Sequence, residues 1–413
     1  MANTTLTADI IAKEAVMILE NNCVMGGLVY RGYEEEFQNK VNGYEIGDTI
    51  SIRRPTDFTV RDGRIANIQD VVEGKFTLTV DKFKGVDFKF ESQDLTLKIG
   101  DLSERVIKPA MIQLANQIDR DCADLYKQVW NWVGTAGLNI DSFSDFAKGP
   151  ERLDLGAVPQ DERSAVLSPT DQWAMLGSQT ALYMQDVAKD AYRRGQLGQV
   201  ANVDTYSSQN VQTFTTGSRL TTAPGVIAAG SLTTTWSASK NSGQMDLTTS
   251  SWGAGLTLAA GDVFTIATVF AVNPVTKATL PHLQQFVVKT AVTTNATTAS
   301  TTTISISPPI ITSGAFQTVS AAPTAGLTCT VIGTASTGYT QNMIFRQNAF
   351  SLVTVPLVKP PGAVDVGRRS YKGFNVRVIP YYDGTNDASN WRLDVLYGCK
   401  AIDPRQATRI SGT

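Results

Sequence analysis

Apolar positions change period along the chain, and the changes divide it into segments. After Thr7, a hydroxyl suited to capping, Ile10, Ile11, Val16, Ile18 and Leu19 cluster on one face of a predicted helix ending near Asn21. From Gly43 to Ile99 the period falls to two. Thr49-Ile50-Ser51-Ile52, Phe76-Thr77-Leu78-Thr79-Val80 and Val86-Asp87-Phe88-Lys89-Phe90 alternate with charges opposite, and Asp62-Gly63 is a tight-turn signal. The segment reads as a long hairpin with a projecting tip. Leu102, Val106, Met111, Leu114, Ile118, Cys122, Leu125 and Val129 then recur mostly at steps of three and four. They predict a helix from Leu102 to Trp130, about 43 Å long at 1.5 Å per residue. Pro109 either kinks it or marks its true start. Ser168-Pro169 places a capping hydroxyl before a first-turn proline and opens a helix through about Leu182; Asp186 to Arg194 predicts a further short one.

From about Thr205 to Thr340 the texture is different. Ser and Thr abound, and the charged residues reduce to Arg219, Lys240, Asp246, Asp262, Lys277 and Lys289. Apolar runs at Val263–Val272, Phe286–Val288, Ile304–Ile306 and Leu327–Ile332 are punctuated by Asn273-Pro274, Pro308-Pro309 and Pro323. A disordered tract would lack those runs, so the stretch reads as an antiparallel sandwich or barrel. Beyond it, Ala349–Val355 reads as a strand, and Phe374–Tyr382 with Trp391–Tyr397 as a hairpin around Asp383-Gly384. The expected class is α+β with an inserted all-β barrel domain. Its segments are 1–42, an N-terminal arm with a helix; 43–100, the hairpin region; 101–204, long helix and mixed region; 205–342, the insertion; and 343–413, the return with a closing hairpin. No internal repeat is evident.

Composition narrows the chemistry. The chain has 413 residues, 18% charged, and 36 Lys plus Arg against 38 Asp plus Glu give a net charge of -2. A dedicated nucleic-acid binder carries a basic excess, and none is present. No apolar run approaches the ~20 residues that span a bilayer. Met1–Leu6 lacks the basic and apolar regions of a signal peptide, which points to cytosolic synthesis. His282 is the single histidine, so multi-histidine metal sites and paired-histidine catalysis are excluded. Cys23, Cys122, Cys329 and Cys399 lie far apart in sequence, without the short spacing of zinc ribbons or redox dithiols. They read as small buried thiols, Cys122 on the apolar stripe of the long helix.

Candidate sites are few. No phosphate-binding glycine loop and no Gly-x-Ser-x-Gly elbow occurs; Gly253-x-Gly255 has no helix behind it. His282 follows Pro281 in what reads as a loop. Glu34-Glu35-Glu36 point to different sides of a helix, and Asp119, Asp121 and Asp124 alternate with Arg120 and Lys127 as a polar helix face. The hairpin is richer: Arg53, Arg54, Arg61 and Arg64 interleave with Asp57, Asp62, Asp70 and Glu73. A near-neutral strand pair set with both signs suits a protein partner better than a phosphate, because paired charges fix register and orientation. No catalytic residue, metal site or cofactor is expected.

Four ordered blocks carry a resemblance. They are Gly43-Tyr44-Glu45-Ile46-Gly47-Asp48-Thr49-Ile50-Ser51-Ile52-Arg53-Arg54-Pro55, Gly261–Ile266 running into Val272–Lys277, Asn348–Pro356, and Trp391–Gly398 leading to Asp403-Pro404. With the order of elements, they resemble tailed-phage major capsid proteins, specifically the podovirus coat-protein family of the Salmonella-phage type with its inserted β domain. The resemblance implies a virion shell subunit made in the bacterial cytoplasm, its hairpin an E-loop lying across a neighbour, its long helix the spine of a peripheral domain, and the flanks of the insertion an axial domain. It implies self-assembly into hexamers and pentamers with a scaffolding protein and portal, packaged double-stranded DNA touching the inner surface non-specifically, and no membrane. It also implies a two-fold contact loop in the insertion, here Ser237–Gly255, where Lys240, Asp246 and Trp252 join the hairpin residues as candidate inter-subunit contacts. A tail-fibre or adhesin reading of the Ser/Thr-rich centre is the alternative.

Overall fold

The computed structural model describes residues 8–33, 40–41, 44–45, 49–53, 56–61, 63–66, 68, 74–91, 106–179, 198–219, 224–229, 232–237, 240, 243–295, 300–360, 366–371, 373–385 and 387–413. They form two units. One comprises Met1–Ser51, Thr77–Ala123 and Phe350–Lys400; the other Ile52–Phe76, Asp124–Ala349 and Ala401–Thr413.

The first unit is helices on a sheet. Helix α1 (Ala8–Asn22) buries Ile11, Ala12, Ala15, Val16 and Leu19, spaced one turn apart, against strands Gly367–Tyr371 and Phe374–Asp383 and against helix α3 (Lys108–Ala123). The short α2 (Met25–Leu28) is fixed to α3 by Asp119, whose carboxylate accepts the backbone N–H groups of Val24 at 2.7 Å and Gly26 at 2.9 Å. The sheet is centred on the long strand Ala388–Ala401, which runs antiparallel to Phe374–Asp383. Leu393, Val395 and Tyr397 alternate on its buried face, as period two requires.

Two expectations are corrected here. The unbroken Leu102–Trp130 helix is shorter: α3 ends at Ala123, about 24 Å from its start, and Asp124–Gln128 tightens into a 3-10 turn. Leu125 and Val129 stay buried, because a three-residue turn and an α-helix share the three-step spacing that suggested continuity. Pro109 stands second in α3, directly after Val106 and Ile107, which are already wound as a π turn, so the helical backbone runs on before the proline; Leu102 lies outside the described residues. The second correction concerns Val86–Phe90. Strand Lys82–Glu91 does not fold back on the hairpin but pairs with Ala388–Ala401, from Tyr397 opposite Lys82 to Ala388 opposite Glu91. Alternation identifies a strand; it does not choose the partner.

Gly398, on that long strand, explains one of the resemblance blocks. A Cβ there would sit 2.2 Å from the Thr79 carbonyl oxygen and 3.0 Å from the Val80 Cα. Backbone cannot yield as a side chain does. Gly398→Ala is expected to cost about 3 kcal/mol, read as a lower urea midpoint with unchanged slope.

In the second unit a six-stranded sheet runs Trp132–Val133, Ala407–Ile410, Asn342–Arg346, Arg163–Leu167, Val203–Ser207, Gln199–Val200. Helices α4 (Phe143–Leu155) and α5 (Pro169–Gln179) cover it, burying Phe146, Leu153, Met175 and Leu176 with Leu167, Ile344 and Ile410. Ser142 caps α4 by accepting Asp145 N–H at 3.1 Å, and Ser168 accepts Asp171 N–H at 3.1 Å beside Pro169, the predicted start of α5. The helix predicted at Asp186–Arg194 lies outside the described residues.

The charge-poor centre closes into a barrel. Its strands follow the order Gly225–Ile227, Met245–Ser250, Thr302–Ser307, Thr279–Val288, Val263–Val272, Thr328–Val331, and the last pairs with the first. Every pair is antiparallel. Closure leaves no sheet edge unpaired, which suits a segment with few charges to guard one. Leu247, Phe264, Ile266, Phe286, Ile304, Ile306 and Cys329 fill the interior. At one end Asn273 accepts the N–H groups of Val275 and Thr276 at 2.9 and 3.0 Å and donates to the Leu155 carbonyl at the end of α4 at 2.9 Å.

Candidate interaction surface

The hairpin is built from Thr49–Arg53 and Lys75–Thr79. Ile50, Ile52 and Leu78 turn inward and are buried, and the Thr49 and Thr79 hydroxyls meet at 3.1 Å. Beyond the paired strands the apolar residues turn outward. Val60 is 100% exposed, Ile68 91%, Ile65 88% and Phe58 57%. Single exposed apolar residues are ordinary; four within eleven positions of one segment concentrate exposed apolar surface there. Arg61 organises the tip, donating to the carbonyls of Gly63 at 2.6 Å and Ile65 at 3.0 Å. Near the base, Asp57 lies 3.8 Å from the guanidinium of Arg405, which Asp403 also holds at 2.9 Å.

Of the predicted contacts, Arg53, Arg61 and Arg64 are exposed on this segment, and Asp57 is half-buried beside Arg405. Arg54, Asp62, Asp70 and Glu73 lie outside the described residues. The insertion residues fare differently. Ser237–Gly255 is not one loop, because Met245–Ser250 is a barrel strand. Asp246 is exposed on that strand. Lys240 is buried, and its ammonium donates to the carbonyls of Thr233, Thr235 at 2.7 Å and Ile310 at 3.2 Å; burial pushes its pKa down. Trp252 is 2% exposed and donates its indole N–H to Thr249 at 2.7 Å. Both side chains are buried within the insertion, whereas the resemblance implied that they face a neighbouring subunit.

The carboxylates considered for chemistry are spent on structure. Asp119 holds α2, and burial raises its pKa against three backbone N–H groups that lower it. Asp121 accepts from Gln117 at 2.9 Å and from the Tyr397 hydroxyl at 2.8 Å, with Lys82 at 3.3 Å. Asp124 pairs with Lys127 at 2.6 Å. Glu34, Glu35 and Glu36 lie outside the described residues. Among the described residues no three His, Cys, Asp or Glu side chains gather as a metal site, and no helix is long and apolar enough to cross a membrane.

His282 is not in a loop. It lies in strand Thr279–Val288, where Pro281 is tolerated because the ladder to Val263–Val272 shifts register between Phe270 and Val272. Burial, with the nearby Arg152 charge, pushes its pKa from 6.5 down to about 4. The folded chain therefore prefers neutral His282, a preference fully present above pH 6.5 and lost as pH falls toward about 4. Discounted for partial solvent screening, the loss is about 1–2 kcal/mol. His282→Gln is expected to flatten that acid limb in urea titrations at pH 7 and pH 4.5.

Sequence reasoning found the hairpin charges but missed Phe58, Val60, Ile65 and Ile68. Apolar letters within a charged strand pair were available as the signal. Phe58, Val60, Ile65 and Ile68 leave exposed apolar surface on a chain whose fold is α+β and includes a closed barrel.

The comparisons with known proteins agree. The chain belongs to the P22 coat protein family, described as P22 coat protein, gene protein 5, whose model matches residues 1–410. It is 22% identical over 387 residues to the major capsid protein of Acyrthosiphon pisum secondary endosymbiont phage 1, covering 89% of each chain. The solved structure from Mycobacterium phage Che8 superposes with a TM-score of 0.50 at 14% identity, over 95% of this chain and 92% of that one. The fold is that of tailed-phage major capsid proteins. The chain is a structural, non-enzymatic subunit that assembles with copies of itself into the icosahedral shell of the virion.

Proposed function

We propose that within this shell the hairpin, as the E-loop, lies across a neighbouring subunit, seating Phe58, Val60, Ile65 and Ile68 on that neighbour while Arg53, Arg54, Arg61 and Arg64, with Asp57 and Asp62, set its register. The four exposed apolar side chains carry this reading. Fully burying a Val, Ile or Phe side chain stabilises by about 1.5–3 kcal/mol, whereas rim charges act on orientation and specificity. On the same reading residues 205–342 form the insertion domain, and Asp246 is the insertion's candidate for contacts across two-fold axes. Segments 1–42 and 43–100 supply the arm and the E-loop; 101–204 and 343–413 build the peripheral and axial domains around hexamers and pentamers. A scaffolding protein and a portal guide closure. A net charge of -2 limits packaged double-stranded DNA to weak, non-specific contact at the inner surface.

Electron microscopy of the full chain co-expressed with its scaffolding protein tests the proposal. Closed shells in which the E-loop density crosses a subunit boundary are expected. Shells whose hairpin folds back on its own subunit would overturn it.

A further inference from the structure

Two cysteines separated by 277 positions are brought together in the first unit. The sulfur of Cys122, one residue before the end of α3, lies 3.6 Å from the sulfur of Cys399, near the end of strand Ala388–Ala401. Both are free thiols. The surroundings are asymmetric. Cys122 is fully buried, whereas Cys399 is partly exposed. The Lys82 ammonium stands beside Cys399: burial works against its charge, yet Cys399 and Asp121 more than offset that and raise its pKa. Asp121 in turn holds Lys82 at 3.3 Å and the Tyr397 hydroxyl at 2.8 Å, two residues before Cys399 on the same strand. The other cysteines differ. Cys23 is buried with its sulfur 3.9 Å from the Ala115 carbonyl, and Cys329 is buried in the barrel, its thiol pushed up to about 12 by burial.

We propose that Cys122 and Cys399 form an oxidisable latch, a dithiol in the newly made subunit that becomes an internal disulfide once the particle leaves a reducing compartment. The cytosol keeps thiols reduced, and a virion passes from it to oxidising surroundings. The chemistry is thiol–disulfide exchange with a small-molecule disulfide as oxidant. Cys399, partly reachable by solvent, gives up its proton and attacks one sulfur of the oxidant. The oxidant's S–S bond breaks, a mixed disulfide forms, and one small thiolate leaves. Cys122, which the Cys399 sulfur and burial hold protonated, passes its proton to the departing small thiolate as it attacks the Cys399 sulfur, so that the second small thiol leaves and the Cys122–Cys399 bond forms. The two cysteine protons end on the two small thiols released, so the protein loses two electrons and two protons and the oxidant gains both. The sulfurs must close from 3.6 Å to about 2.05 Å, a movement that two side chains near the ends of their elements can absorb. The bond would fasten helix α3 to the long strand across a loop of 277 positions, removing much of the freedom of the unfolded chain. This latch lies within one subunit, so its fate is independent of the E-loop assignment.

The test uses the purified full-length chain, incubated with oxidised glutathione and then alkylated in denaturant. Mass spectrometry is expected to find a Cys122–Cys399 linked peptide and a loss of about 2 Da, with Cys23 and Cys329 alkylated. The melting temperature is expected to rise by about 4–8 °C and to return on reduction. Cys399→Ser and Cys122→Ala should each abolish both the linked peptide and the rise. Since either variant could weaken the fold, reduced wild type supplies the baseline that needs no mutation. A stable glutathione adduct on Cys399 without the internal bond, alkylation of all four cysteines, or a bond that leaves the melt unmoved would each overturn the proposal.

Discussion

Val60→Asp combined with Ile65→Asp is expected to leave a folded subunit that no longer closes shells. Val60 is 100% and Ile65 88% exposed, so neither contributes to the packing of its own chain. Surface substitutions away from structural features change stability within about 0.5 kcal/mol, and circular dichroism and the urea midpoint should stay close to wild type. Assembly should respond very differently. Two apolar side chains seated on a neighbour contribute about 3 kcal/mol or more per contact, which is roughly a hundredfold in affinity, and a desolvated carboxylate adds a further penalty. Each contact recurs in every subunit, so shell yield by sedimentation should fall by at least that factor. An undiminished yield would show that the hairpin tip faces solvent in the shell.

Trp252→Ala has the largest expected effect on folding. The indole is 2% exposed, packs edge-on to Phe264 with ring centres 6.5 Å apart, and lies so close to Gly225 that a Cβ there would stand 2.1 Å from the ring. Its N–H also satisfies the Thr249 hydroxyl inside the barrel. Truncating a buried tryptophan costs about 3–5 kcal/mol, and strand Gly225–Ile227, only three residues long, pairs with Met245–Ser250 and Thr328–Val331 over few residues. Hydrogen exchange should rise selectively over Gly225–Ile227 and Met245–Ser250, while Phe374–Ala401 keeps its protection. A uniform rise across both units would show instead that the barrel and the rest unfold as one.

These outcomes bear on how much of the molecule could be read beforehand. The α1 stripe, the core of α3, the start of α5 and the strands of the central segment were legible because each rests on local periodicity or capping. The long helix was overextended because a 3-10 turn imitates helical spacing over one turn. Lys82–Glu91 was read as part of the hairpin region with no partner named, because its pairing is settled by residues some three hundred positions away. Lys240 and Trp252 were sought at the surface because a sequence does not record burial; three carbonyls around one ammonium decide that only after folding.

The amino-acid order alone determined the α+β frame, the charge-poor β insertion, the charged hairpin and the absence of a histidine-based site. Each follows from composition or from a period of two or of 3.6 residues. Only the tertiary structure decided that the insertion closes on itself, that the hairpin turns its apolar side chains outward, and that Cys122 meets Cys399. Such facts depend on contacts between residues distant in sequence, and the free energy of burial, summed over the whole fold, chooses among pairings that local pattern leaves open.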